Sequence, residues 1–104
     1  DTALIFGDML ELGEKEVQFH KDIANKIYKL GFEAILFVGK LSNHSYEELK
    51  VKKLPFLAWS SSQSPSETEE HLDKMLLKNN KFLVKGSRSI NLDKLVERLI
   101  NKIS

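Results

Sequence analysis

The sequence predicts a three-layer α/β/α sandwich with a mainly parallel sheet. Four short runs are apolar throughout, which is typical of strands that helices cover on both faces. Helical patterns separate these runs, giving the order β-α-β-α-β-α-β-α. Right-handed crossovers stack that order into one parallel sheet between two helical layers. The four runs are Ala3–Phe6, Ile35–Val38, Phe56–Trp59 and Phe82–Val84.

The first two helices are predicted from apolar side chains that recur at helical spacing. One helix should span Glu14 to Leu30, with Gly31 as its C-cap glycine. Its inward face should carry Val17, His20, Ile23, Ala24, Ile27 and Tyr28. The second segment, from Ser42 to Lys50, is a weaker pattern. Its inward face should carry Tyr46 and Leu49.

The third helix has a strong start signal, and the fourth has the clearest apolar stripe. Ser64 can cap the third helix, Pro65 suits its first position, and Glu67 stands where a capping-box acid belongs. Its apolar face should carry Leu72, Met75 and Leu76, and Asn79-Asn80 should end it. Asn91 is a plausible cap for the fourth helix. The stripe of that helix consists of Leu92, Leu95, Val96, Leu99, Ile100 and Ile103.

The composition describes a single soluble domain of 104 residues, with 41% hydrophobic and 30% charged residues. Without cysteine, the chain has neither disulfides nor thiolate metal sites. A net charge of +1 provides no long-range field for nucleic acid, and the apolar runs are too short to span a membrane. The chain opens on Asp1 without an initiator Met, which favours a piece of a longer polypeptide.

Polar residues are distributed differently at the two edges of the predicted sheet. Turning and capping suffice to explain residues 31–33, 52–55 and 79–81, where strands begin. The opposite edge, where strands end, is where open α/β folds bind ligands. This edge carries carboxylate, hydroxyl and cationic side chains, which can bind a ligand. They are Asp8, Glu11, Lys40, Ser42, Ser60, Ser61, Ser62, Lys85, Ser87 and Arg88.

The segment from Lys85 to Ser89 is the sharpest candidate site. Gly86 permits a close backbone approach or a positive φ. Lys85 supplies a compact charge, and Arg88 supplies a planar fork for a carboxylate or phosphate. The following helix directs free N–H groups at whatever binds there. The alternative interpretation is a tight turn with solvated charges, in which Ser89 or Asn91 only caps the helix.

The segment from Asp8 to Gly13 is unusual for a plain loop because it contains three apolar residues. In one interpretation, Asp8 caps the next helix and the apolar residues form a hydrophobic staple. In a second interpretation, Asp8 or Glu11 forms an ion pair with Arg88 and so shapes the binding loop. In a third, the residues of this segment contact the ligand directly. His20 should be a satisfied core residue, and it could hydrogen-bond to the Asp8 loop. It lacks partner residues at metal-ligand spacing.

The sequence lacks the motifs of several catalytic sites. There is no complete phosphate loop, no Gly-x-Gly-x-x-Gly fingerprint after a strand, and no Gly-x-Ser-x-Gly nucleophile elbow. We therefore assign no catalytic residue and no metal ligand.

Two runs resemble the C-terminal domain of the Mur ligases. The first extends from Leu4 to Gly13 (LIFGDMLELG), with His20 shortly after it. The second extends from Leu83 to Ser89 (LVKGSRS) and is followed by one terminal helix. Both runs match in order and spacing. The resemblance covers the whole chain and implies a Rossmann-like domain, residues 1–104, that lacks its first strand and helix.

The resemblance implies that the parent is a cytoplasmic ligase of peptidoglycan synthesis. Such an enzyme uses ATP and Mg²⁺, bound mainly by a central ATPase domain, to join D-alanyl-D-alanine to UDP-N-acetylmuramoyl-tripeptide. The third domain closes over the central one and helps to hold the incoming amino acid or dipeptide. In this chain Lys85, Gly86, Ser87 and Arg88 would bind substrate. Asp8, Glu11 and His20 would support the loop or contact substrate, and the fragment alone would be inactive.

An alternative of a different class is a stand-alone Rossmann-like or flavodoxin-like module with a binding or regulatory role. A receiver-type domain needs an acidic cluster and a phosphorylatable aspartate at a strand end. Asp8 by itself is weak support for a receiver-type domain. Binding of a flavin or nucleotide by the isolated chain would favour this alternative.

Overall fold

The computed structural model of the chain describes residues 2–10 and 12–86. The described strands are β1 (Thr2–Gly7), β2 (Ala34–Val38), β3 (Phe56–Ser60) and β4 (Lys81–Lys85). The helices are α1 (Glu16–Lys29), which follows a 3-10 turn at Gly13–Lys15, α2 (Ser42–Leu49) and α3 (Pro65–Leu76). The predicted last helix lies outside the described residues, as do Glu11, Ser87 and Arg88.

The described strands form one sheet in the order β3-β2-β1-β4, and every pairing is parallel. Helices cover both faces, which confirms the predicted three-layer class. On one face, side chains of α1 and α2 pack on β1 and β2; this cluster includes Leu4, Phe6, Ala24, Ile27, Ile35, Phe37 and Leu49. On the other face, α3 completes a second cluster with Ala3, Ile5, Ala34, Leu36, Val38, Ala58, Leu72 and Met75. The two clusters take alternate residues of each strand because successive side chains point to opposite faces.

Burial differs between the central and outer strands. Every residue of β2 is buried, as are residues 3–7 of β1. β4 alternates between exposed and half-buried residues instead. Phe82 and Val84 pack on the α3 side, whereas Leu83 is 41% exposed. Within the described chain, then, β4 does not behave as the strand apolar on both faces that its sequence predicted.

The helices follow the predicted patterns with local corrections. His20, Ala24 and Ile27 of α1 are buried as predicted, but Val17 and Tyr28 are each 40% exposed. At about 100° per residue, these two lie together at one edge of the apolar stripe, away from its centre at His20, Ala24 and Ile27. Gly31 adopts φ +79° directly after the helix end, which confirms its C-cap role.

The predicted cap of α3 is correct in position but wrong in chemistry. Ser64 is the N-cap residue, yet its side chain makes no capping hydrogen bond. Thr68 Oγ1 lies 3.2 Å from the Ser64 carbonyl, to which it donates, and 2.7 Å from Ser60 Oγ. The first turn of α3 is therefore tied to the end of β3 through Thr68.

The connections place a topological switch point between β1 and β4. The chain steps from β1 to β2 to β3 in one direction, with α1 and α2 on one face. It then crosses the other face through α3 and adds β4 beside β1. Loops that leave two such strands diverge and open a crevice at the carboxyl edge, which is the usual ligand site of open α/β sheets.

Candidate substrate-binding edge of the sheet

The ends of β1 and β4 bring two distant segments of the sequence together. Phe6 is the register partner of Lys85, so the loop that starts at Asp8 lies beside Lys85-Gly86. This confirms, for Lys85 and Gly86, the prediction that the two loops are neighbours; residues 87–89 of the second loop lie outside the described residues. Lys85 is exposed, and Gly86 adopts φ +152°. A cation and a conformationally permissive glycine therefore stand at the switch point.

Asp8 joins two loops of the carboxyl edge. Its side chain is buried, with 6% exposure, and its two oxygens accept hydrogen bonds from the α2 amino end. The donors are the N–H groups of Leu41, at 3.1 Å, and Ser42, at 2.7 Å. A carboxylate is favourable here because these amides have no partner within the helix and carry the positive end of its dipole.

Asp8 does not cap the helix that follows it in the sequence, so that interpretation is wrong. The N-cap positions of the 3-10 turn and of α1 are Leu12 and Lys15, and neither makes a side-chain capping bond. The carboxylate instead caps α2, whose amide donors lie more than thirty residues further along the chain. The predicted ion pair with Arg88 falls outside the described residues and stays a prediction.

Gly39 completes this connection because no other residue fits beside Asp8. A Cβ built on Gly39 would lie 2.7 Å from Asp8 Oδ2 and closer still to the other carboxyl atoms. Gly39 also adopts φ +114°, which L side chains rarely accept. Its N–H donates to the Ser60 carbonyl at 3.0 Å, and its carbonyl accepts from the Trp59 indole N–H at 2.7 Å. The loops after β1 and β2 and the end of β3 are thus held in one network.

His20 holds the Asp8 loop from the other side. Its ring is fully buried, and Nε2 accepts a hydrogen bond from the Met9 N–H at 3.1 Å. Since the amide can only donate, Nδ1 carries the proton and donates to the Glu16 carbonyl at 2.7 Å. Both ring nitrogens are used in the neutral form, so the predicted satisfied core histidine and its bond to the Asp8 loop are confirmed.

The apolar residues of this loop anchor it across the rim of the sheet. Met9 packs against the cluster on the α1 and α2 side, whereas Leu10 packs against the cluster on the α3 side. These two adjacent residues therefore pack on opposite faces of the sheet. Together with the bonds to Asp8 and His20, this packing defines the shape of the loop beside Lys85.

The other polar residues predicted for this edge separate into buried and exposed groups. Ser60 is fully buried and bonded to Thr68. Ser42 is fully buried too, and its hydroxyl has no hydrogen-bond partner among the described residues. Lys40 is exposed, and Ser61 and Ser62 are half-buried. Lys40 and Lys85 are thus the exposed cations among the predicted edge residues that the structure describes.

Sequence reasoning missed Gly39 as an organising residue. One signal was a glycine directly after a buried strand, which also fits an ordinary turn. The other was the resemblance of the Val38-Gly39 strand end to the Mur ligase pattern. The buried serine of α2 at Ser45 was missed as well; its hydroxyl donates to the His20 carbonyl and ties α2 to α1.

Residues 2–10 and 12–86 contain no group of three or more His, Cys, Asp or Glu side chains placed to hold a metal ion. None of their helices combines the length and apolarity needed to cross a bilayer.

Comparison with solved structures gives the class of the fold. A crystal structure of MurF from Acinetobacter baumannii matches with a TM-score of 0.78 and 21% identity, covering 96% of this chain and 22% of that one. A second, titled as the UDP-N-acetylmuramoylalanyl-D-glutamyl-2,6-diaminopimelate–D-alanyl-D-alanyl ligase of the same organism, matches with a TM-score of 0.71 and 24% identity. It covers 95% of this chain and 20% of that one. The chain has the fold of a Mur ligase C-terminal domain.

Sequence comparison narrows the class. No family model matches the chain. UDP-N-acetylmuramoyl-tripeptide–D-alanyl-D-alanine ligase of Buchnera aphidicola (strain Bp) is 36% identical over 94% of this chain and 20% of that protein. The ligase of the same name from Rickettsia prowazekii is 30% identical over 89% of this chain and 20% of that protein. The chain thus belongs to the Mur ligases, on the MurF side of that family, and spans about a fifth of these relatives' length.

Proposed function

We propose that this chain is the substrate-binding lid domain of an ATP-dependent, amide-forming ligase of peptidoglycan biosynthesis. The parent would add D-alanyl-D-alanine to UDP-N-acetylmuramoyl-tripeptide in the cytoplasm. The observation that carries the proposal is the pairing of Phe6 with Lys85, which sets both family-like loops side by side at the switch point. The proposal is supported by relatives that are named for this activity and contain a segment similar to this chain. Residues 1–104 would be the C-terminal domain without its first strand and helix.

The exposed groups of the carboxyl edge are better suited to binding a dipeptide than to catalysing a reaction. Lys85 offers a charge for the dipeptide carboxylate, and Gly86 leaves the backbone open to close approach. Ser87 and Arg88, which lie outside the described residues, are proposed to complete the site. The incoming amine is the nucleophile of amide formation, so this domain needs to bind, orient and exclude water rather than attack.

The buried groups of the edge have a supporting role in this proposal. Both oxygens of Asp8 already accept backbone hydrogen bonds, and both ring nitrogens of His20 are engaged. His20 has no free ring nitrogen for a ligand in this arrangement, and the Asp8 side chain is only 6% exposed. We therefore assign Asp8 and His20 to the shape of the loop, and we propose the same role for Glu11, which lies outside the described residues.

ATP and Mg²⁺ are assigned mainly to the parent's central ATPase domain, which is the intramolecular partner of this one. ATP would supply the activation of the peptide carboxylate. The described residues contain no acidic cluster suited to Mg²⁺, and we give them no contact with either group. The isolated chain should accordingly show no ATP hydrolysis and no ligation. Turnover by the purified 104-residue chain above a mock preparation would contradict this assignment.

The substrate-binding role is tested by removing the charge of Lys85 in the full-length parent. A lost charge-assisted contact costs about 1.5–3 kcal/mol, so Lys85→Ala should raise KM for D-alanyl-D-alanine roughly 10- to 150-fold. Arg88→Ala should act in the same direction. Lys81→Ala is the matched control, because Lys81 is an exposed lysine at the opposite end of the same strand. Equal KM values for Lys85→Ala and Lys81→Ala would refute the site.

A further inference from the structure

Lys40 is an exposed cation at the carboxyl edge to which the proposed dipeptide site gives no role. It stands in the loop between β2 and α2, on the far side of the Asp8 loop from Lys85. Within residues 2–10 and 12–86, no carboxylate forms an ion pair with its ammonium group. The charge of Lys40 is therefore available to an anionic group of a ligand at this edge.

The backbone is held on both sides of Lys40 by buried groups. On one side, the Gly39 N–H donates to the carbonyl of Ser60 at 3.0 Å. On the other side, the Leu41 N–H donates to the Asp8 carboxylate at 3.1 Å. Binding groups are most effective when the structure behind them is locked by packing and hydrogen bonds. The fold thus fixes the point from which this exposed side chain extends, as it does not for a lysine in a solvated turn.

The spacing of Lys40 and Lys85 fits the length of the reacting groups. Their strands, β2 and β4, lie on either side of β1, so they are two strand spacings, roughly 10 Å, apart. An extended dipeptide spans at most about 7 Å. Its amine must come within about 3–3.5 Å of the carbon that it attacks. A dipeptide that runs from Lys85 across the end of β1 therefore places the attacked carboxyl group on the side of Lys40.

We propose that Lys40 is a catalytic residue that binds the phosphoryl group on the activated peptide carboxylate. This inference rests on the proposed ligase function, in which ATP has already transferred that phosphoryl group to the peptide. The dipeptide amine attacks the acyl carbon and forms the C–N bond. The C–O bond to the phosphoryl group breaks, its electron pair leaves with inorganic phosphate, and the amine proton passes to solvent. Lys40 stabilises the negative charge that grows on the departing phosphate and supplies no reacting atom.

The test compares lysine variants in the full-length parent, with ATP and UDP-N-acetylmuramoyl-tripeptide bound before the dipeptide is added. Lys40→Ala should slow the single-turnover rate of amide formation about 10- to 100-fold and leave KM for D-alanyl-D-alanine unchanged, because the lost contact is to the leaving group. Lys40→Gln should behave alike, and Lys40→Arg should recover most of the rate. Lys15→Ala is the matched control, because Lys15 is an exposed lysine at the N-cap of α1, which begins at the same edge.

Thermal unfolding of each full-length variant should match that of the unmodified parent, since an exposed charge contributes little to stability. The inference is overturned if Lys40→Ala and Lys15→Ala react at the same rate, or if Lys40→Arg is no faster than Lys40→Ala. A raised KM at an unchanged rate also overturns it and makes Lys40 a second contact for the dipeptide carboxylate. These results leave the ligase function intact, whereas an unmodified parent that ligates nothing refutes the proposed function itself.

Discussion

The two edges of the sheet are built from the same kinds of connection but differ in how tightly they are held. At the carboxyl edge, the Asp8 carboxylate, the Gly39 backbone and the His20 ring form buried hydrogen bonds between segments far apart in sequence. At the amino edge, Leu30, Val51 and Leu77 follow the three helix ends and are 73%, 79% and 83% exposed, respectively.

That difference shows at which edge of the sheet the fold fixes the positions of loops and side chains. A binding group is useful only when the residues behind it are locked by packing and hydrogen bonds. Lys85 is exposed, but the loop beside it is held on both faces of the sheet. The amino edge mainly terminates helices, and the apolar residues that follow the described helix ends stay exposed there. The following substitutions test whether the carboxyl edge is held as tightly as its contacts indicate.

The largest effect is expected at Gly39. Gly39→Ala adds both the strain of φ +114° and a clash with Asp8, and should lower the free energy of unfolding by about 2–5 kcal/mol. Gly31→Ala is the matched control, because Gly31 has φ +79° and a Cβ there would meet nothing within 4 Å among the described residues. It should cost about 1–2 kcal/mol. Urea unfolding measures both.

The same comparison can be sharpened by a double mutant. The clash with Asp8 could cause the larger loss of unfolding free energy in Gly39→Ala than in Gly31→Ala. In that case Gly39→Ala in an Asp8→Ala background should lower the free energy of unfolding by no more than Gly31→Ala does. An unchanged cost in that background would place the excess in backbone strain alone.

A smaller loss is expected when Asp8 is replaced. Asp8→Ala leaves the Leu41 and Ser42 N–H groups without their acceptor and should lower the free energy of unfolding by about 1–3 kcal/mol. Chemical denaturation of the isolated chain provides the measurement. Stability like that of the unmodified chain, together with lost substrate affinity in the full enzyme, would make Asp8 a substrate contact instead.

Ser42→Ala is the matched partner of that substitution and should be nearly silent. The Ser42 hydroxyl is buried and has no hydrogen-bond partner in residues 2–10 and 12–86, whereas the Ser42 backbone N–H keeps its bond to Asp8. Removing an unpaired buried hydroxyl should leave stability unchanged or slightly raised. A loss as large as that of Asp8→Ala would reveal a hydrogen bond to the hydroxyl.

The smallest effect is expected for a surface pair of α2. Glu47 contacts Lys50 and holds the lysine pKa above its usual value, chiefly through the side-chain hydrogen bond and then through its charge. A raised pKa adds stability below the unfolded pKa of Lys, near 10.4, and that stability is lost as pH rises through the folded pKa. Both side chains are about half exposed or more, so Lys50→Ala should leave the melting temperature at pH 7 unchanged. A clear drop would contradict this.

Local patterns predicted the fold because each of them depends on neighbours in sequence. Uninterrupted apolar runs placed the four strands, and helical spacing placed the buried residues His20, Ala24 and Ile27. Strand ends also predicted that the segments at Asp8 and Lys85 share an edge. The hydroxyl of Ser64 was expected to cap α3, and it does not, because whether a side chain caps depends on its rotamer and on competing contacts.

The sequence by itself determined the α/β class, the element order and the two loops of the candidate site, since periodicity and glycine positions express short-range preferences. Only the tertiary structure decided what those loops touch. Asp8 caps α2 rather than the helix that follows it, and Gly39 lies against its carboxylate. Such contacts join residues far apart in the chain, and their geometry is set by the packing of whole elements.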